Sequence, residues 1–124
     1  QRQIERSLTS IQITSVPPPA PIPKCQERDL QIIDHGWRKR GSFVDSADFQ
    51  WQVSLKNTSS YLCAVIVGYE LLDQNNQVLA FDKSFFAEMF EAQESKTIER
   101  FSGSINLNLL PQVHSSRPVI LEVQ

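Results

Sequence analysis

The side chains able to do chemistry in this chain are few and widely spaced. Cys25 and Cys63 are its only cysteines. A bridge between them would close a loop of about forty residues, worth about 4 kcal/mol on the chain-entropy estimate. The competing reading is a buried free thiol at Cys63, inside a Val- and Ile-rich run. No Cys-x-x-Cys is present, so dithiol redox chemistry has no motif. His35 and His114 lie far apart, neither with a second ligand at metal spacing, so both read as loop histidines and no metal site is expected. Gly-x-Ser-x-Gly is absent, and the four glycines form no phosphate-cradling loop. Asp45 with Asp48 and Glu88 with Glu91 sit near turns or on exposed surface, which suits solvated charge better than acid–base work in a closed cleft. The expectation is no catalytic residue, no cofactor and no enzyme.

Three groups remain as candidate contacts. Phe85-Phe86-Ala87-Glu88-Met89-Phe90 packs three Phe and one Met into six positions, more than one connecting loop can easily bury. Phe85, Phe86, Met89 and Phe90 are therefore the candidate partner-binding residues; the competing reading folds the segment as a lid over the open end of the core. Trp37 beside Arg38, Lys39 and Arg40 could hold an anion or stack on a sugar, which makes Trp37, Arg38 and Arg40 the alternative ligand site. Asn57-Thr58-Ser59 fits the glycosylation sequon, and a turn explains the same residues.

The elements that must position these groups follow from composition and periodicity. The chain has 124 residues, 40% of them apolar, enough to bury one core. A net charge of −2 gives no electrostatic case for nucleic acid, and no apolar run is long enough to span a bilayer. Ile4, Leu8 and Ile11 have helix-like spacing near a terminus expected to fray. Five prolines between Pro17 and Pro23 exclude helix and ladder and predict an extended spacer; docking on an SH3-like groove is the other reading. The division expected is an N-terminal segment and Pro-rich spacer over 1–24 and a β-sandwich domain over 25–124. The chain opens at Gln1, not Met, so a processed or excised chain is expected, with any signal peptide or anchor upstream.

Beyond Cys25 the pattern is one of strands. Leu30 to Trp37 reads as a first strand, and Trp37–Gly41 as a polar connection closed by glycine. Phe49 to Leu55 alternates without a fault, so Phe49, Trp51, Val53 and Leu55 face one core. Tyr61 to Leu72 is apolar on both faces, which places it centrally. Asp73–Asn76 is a hairpin turn, Gln77–Phe81 its return strand, and Ser95–Phe101 another strand. Gly103–Leu110 is loop or short strand, and Arg117–Val123 closes the fold with Pro118 marking an edge. Phe85/Met89 and Phe86/Phe90, at i,i+4 spacing, suit one helical turn. The fold expected is an all-β antiparallel sandwich of six to eight strands, immunoglobulin- or fibronectin-like.

Lys56-Asn57-Thr58-Ser59, then Tyr69-Glu70-Leu71-Leu72-Asp73, then Gln74-Asn75-Asn76-Gln77-Val78 and Ala92-Gln93-Glu94-Ser95 resemble the FxLYD-type immunoglobulin-like modules of bacterial envelope proteins. The likeness spans about residues 30–101. In that pattern Leu72 stands for an aromatic residue, and Asn76 and Gln93 each for a glycine. The resemblance implies a sandwich without catalytic residues. Beside it, Tyr69 and Leu71 can fill a core, and Asp73 can accept backbone N–H groups across its turn.

The function expected is therefore a non-catalytic protein-interaction or structural module of a bacterial cell-envelope protein. It would be periplasmic or at the cell surface, where a segment upstream of Gln1 could anchor it. Its partner is a protein, neither nucleic acid nor membrane interior. The alternatives are a carbohydrate- or small-ligand-binding sandwich, and a subunit of an intracellular or secretion-related assembly that needs both thiols free.

Overall fold

A computed structural model describes residues 24–124. The N-terminal segment and its proline run, apart from Lys24, lie outside the described residues. Those described form seven strands: β1 Leu30–Phe43, β2 Ser46–Asn57, β3 Cys63–Leu72, β4 Val78–Lys83, β5 Glu88–Phe90, β6 Ser95–Asn106 and β7 Ser115–Val123. One antiparallel sheet has the order β1-β2-β6. The other is built on β3, with β7 along one edge and β4 then β5 along the opposite edge. The two sheets share one apolar interior and make a β-sandwich.

The core sits where the alternation of β2 places it. Ala47, Phe49, Trp51, Val53 and Leu55 are all fully enclosed. Cys63, Val65, Val67, Tyr69 and Leu71 of β3 meet them from the other sheet. The Trp51 and Tyr69 rings stack across the interior, their planes 10° apart and their centroids at 5.5 Å. Each side chain of this size withdrawn from water contributes about 1.5–3 kcal/mol. Gly103 of β6 is required by this packing, since a Cβ there would lie 2.5 Å from the Phe49 ring.

Polar groups join the sheets on both flanks of the core. Trp51 Nε1 donates to Asp82 Oδ2 at 2.7 Å, and the same oxygen accepts from Ser102 Oγ at 2.9 Å. On the other flank the Tyr69 hydroxyl lies 2.9 Å from His35 Nδ1 and 2.7 Å from Ser116 Oγ. Burial pushes the pKa of this hydroxyl above its ordinary value; the Asp34 charge adds to the shift and the Ser116 bond offsets part of it. His35 is thus a strand residue that ties β1 to β3, not a loop histidine. Its signal was hidden because its partner, Tyr69, is distant in sequence.

Two stretches differ from the sequence expectation. Trp37–Gly41 is not a connection: β1 runs through it, and the chain turns only at Val44, whose φ is 54°. Glycine and three charges read as a loop, but an edge strand tolerates them, and β1 has register shifts at Ile32/Asp34 and Lys39/Gly41. The strand begun at Ser95 likewise continues past Phe101 to Asn106. Pro118 does lie on an edge, because among the described residues β7 pairs only with β3.

Asp73 forms its turn as expected, with Oδ1 accepting from the N–H groups of Asn75 at 2.8 Å and Gln77 at 2.9 Å. Asn76 then has φ 63°, and Gln93, in the turn before β6, has φ 65°. Such values favour glycine. Gln93 has a compensation: its side chain donates to the Thr58 and Ser59 carbonyls at 2.9 and 3.1 Å.

Candidate functional site

The Phe85–Phe90 segment takes its shape from an interruption in the edge beside β3. β4 pairs with Gly68–Leu72 and β5 with Cys63–Val65, so Ile66 and Val67 fall between them. Ser84 fills that gap. Its N–H donates to Val67 O at 2.9 Å, while its Oγ accepts from Val67 N–H at 3.2 Å. With both groups of Val67 satisfied by one residue, the chain is free to leave the sheet at Phe85 and return at Glu88. This is a kink in an edge, not the helical turn that the i,i+4 spacing suggested. An open strand edge on β3 offered Glu88–Phe90 ladder partners that an isolated helical turn lacks.

The kink separates the four candidate contact residues. Phe86 is 81% exposed, Phe85 64% and Met89 47%. Phe90 is fully enclosed, opposite Cys63 in the ladder, and belongs to the core. It is withdrawn from the contact set, because the return to period two at β5 turns it inward while Met89 turns out. Two cations on one face of β6 approach the segment. Lys96 Nζ lies 5.1 Å from the centre of the Phe90 ring, donates to Met89 O, and pairs with Glu94 at 3.7 Å. The Arg100 guanidinium carbon lies 5.5 Å from the centre of the Phe85 ring.

Asn57 anchors the end of this site. Its side chain is fully enclosed and donates from Nδ2 to the carbonyls of Tyr61, Glu91 and Phe90 at 2.6, 3.1 and 3.3 Å. Its Oδ1 accepts from Ser59 N–H and Ser59 Oγ at 2.9 and 2.7 Å. Every polar atom of the amide is in use, so the sequon is a structural knot and offers no free amide to a sugar in the folded chain. The sequence signal for this role was the Asn-x-Ser spacing at a strand end.

Cys25 and Cys63 are bonded, with Cα atoms 5.3 Å apart. The bond ties the exit of the proline run to the first residue of β3. Neither Cys25 nor Cys63 is a free thiol in this structure.

The alternative ligand residues do not gather into one site. Trp37 is half-buried, its ring set edge-on to Phe49 at 6.1 Å. Arg38 donates to Gln50 Oε1 at 3.3 Å, and Gln50 Nε2 donates to Glu99 at 3.1 Å. Arg40 instead lies over the Phe101 ring, 4.8 Å from its centre. A shallow depression of about 420 Å³ over Gly36 includes Trp37, Arg38 and Glu99 in its lining but not Arg40. Arg40 falls at the register shift between Lys39 and Gly41, and this irregularity is what sets it apart from Arg38.

Among the described residues, no helix is long and apolar enough to cross a membrane. No protein-family model matches the chain, and no curated protein matches it. Among solved structures, a β-glucuronidase from glycoside hydrolase family 2 aligns at 11% identity with a TM-score of 0.50. That match covers 58% of this chain and 7% of the enzyme's, so the likeness is one of fold. A Northeast Structural Genomics Consortium target, SoR45, aligns at 7% identity over 79% of this chain and 86% of its own, with a TM-score of 0.43.

Proposed function

We propose that this chain is a non-catalytic, immunoglobulin-like module of a bacterial cell-envelope protein, and that it works by holding a protein partner at Phe85 and Phe86. The observation that carries the reading is the exposure of these two rings on a kink that Ser84 fixes from beneath. Burying two such rings is a strong driving force for association, and aromatic anchors often dominate an interface.

Three features support the family and the compartment. The positive φ values at Asn76 and Gln93 fall where the FxLYD pattern has glycines. Asp73 and Asn57, the polar residues of that pattern, each organise a turn. The Cys25–Cys63 bond suits an oxidising compartment, as an envelope module would experience.

The test is co-purification from solubilised envelopes of the native host, comparing wild type with a Phe85→Ser/Phe86→Ser variant. Both rings are exposed, so the thermal midpoint should stay within a few degrees while a stoichiometric partner disappears. Phe90→Ser is unsuitable, because it would empty the core. An unchanged set of co-purifying proteins would place the contact elsewhere.

A further inference from the structure

We infer that the partner segment held at Phe85–Phe86 is an apolar peptide stretch carrying a carboxylate, and that Arg100 receives that carboxylate. The inference rests on the reading above and names the chemistry of its partner.

Lys96 and Arg100 lie on one face of β6, on either side of the buried Ile98. Their situations differ. Lys96 is fully engaged, with Glu94, Met89 O and the Phe90 ring as partners. Arg100 has no ion pair and donates no side-chain hydrogen bond among the described residues. Its Nε is closed off from solvent with no acceptor. The nearest structural use of its charge is the Phe85 ring. Asp82 does not neutralise it, since Asp82 Oδ2 is held by Trp51 and Ser102 and no ion pair forms.

The enclosed Nε is out of a partner's reach, so a carboxylate would meet the rest of this half-buried guanidinium, which has no ion pair among the described residues. Guanidinium binds carboxylate through charge-assisted hydrogen bonds, which favours an acidic partner beside the apolar rings. A partner seated on the Phe85 ring, 5.5 Å from the guanidinium carbon, would shield the pair from water and strengthen it. Phe86 and Phe85 thus provide the apolar anchor, and Arg100 the charge that selects among apolar partners. A carboxylate within about two residues of the partner's anchoring side chain would span the distance between ring and guanidinium, given about 3.3 Å per extended residue.

The experiment pans a phage library of random linear dodecapeptides on the full chain. The enriched peptide is then measured by fluorescence anisotropy against wild type, Arg100→Gln and Phe86→Ser. The same peptide is also made with its carboxylate replaced by carboxamide, which leaves the protein untouched. The expected result is enrichment of Asp or Glu within two residues of an aromatic or aliphatic side chain. Arg100→Gln and the carboxamide peptide should each weaken binding about tenfold, and added salt should weaken the wild-type complex. Peptides without an acid, or a carboxamide peptide binding within twofold, would overturn the inference while Phe86→Ser still lost binding and the contact reading stood. No enrichment, or Phe86→Ser binding as wild type does, would overturn both. Binding to phosphatidylglycerol vesicles in place of any peptide would replace the peptide with a lipid surface and overturn the inference as well.

Discussion

Replacing Asn57 with Ala should cost the sandwich about 3–4 kcal/mol. The amide donates from Nδ2 to three carbonyls and accepts two donors at Oδ1. Its two N–H groups and one oxygen amount to about three full hydrogen bonds, each contributing about 1 kcal/mol net. The carbonyl of Phe90 is then left in a buried setting, which adds a desolvation penalty of about 1 kcal/mol. Against a total stability of about 5–15 kcal/mol for a domain of this size, the loss is large. Urea unfolding followed by tryptophan fluorescence reads it, because Trp51 is fully enclosed in the fold. The midpoint should fall while the denaturant slope stays constant. Asn57→Asp separates hydrogen bonding from volume. At pH 7 it aims a carboxylate at three carbonyl oxygens and should destabilise at least as much as Ala; below about pH 4 the acid is protonated and part of the loss should return. A loss under 1 kcal/mol for Asn57→Ala would refute the view of Asn57 as the knot that holds the β5 end of the contact segment.

Three further outcomes follow from the core and its flanks. Replacing Cys25 and Cys63 with Ser should cost about 4 kcal/mol in the same urea assay, since the bond closes a loop with a sequence separation of 38. Gly103→Ala should cost about 1–3 kcal/mol, because the added Cβ meets an enclosed Phe49 ring that has nowhere to move. Tyr69 carries a raised pKa in the fold, so its neutral form is the one the fold stabilises. That contribution is complete below about pH 10 and is lost as pH climbs from the unfolded value through the folded one, because the unfolded chain releases its proton first. Wild-type stability, measured by urea midpoint, should therefore fall above about pH 10, and Tyr69→Phe should flatten that decline.

The strand content was legible because alternation is a local signal. Phe49 to Leu55 could bury one face only as a strand, and Asp73-Gln74-Asn75-Asn76 carried its turn in its own side chains. What sequence could not show depended on partners far along the chain. Arg38-Lys39-Arg40 reads as a loop until β2 is placed beside it. Phe85–Phe90 reads as a helical turn until Ser84 is seen satisfying Val67 and β3 is seen with an open edge. That pairing sends Phe90 inward and Phe86 outward, which no spacing rule distinguishes. Arg100 carried no signal of its own, since an arginine in an alternating strand is ordinarily solvated.

The central claim is that Phe86 meets a protein partner in the bacterial envelope. The direct measurement places the photocrosslinking residue benzoyl-phenylalanine at position 86 in the native host, with the exposed Phe101 position, 52% accessible, as the control. The account predicts a discrete protein adduct from position 86, none from position 101, and recovery of that adduct in the envelope fraction. No adduct at position 86, or equal adducts at both positions, would contradict it.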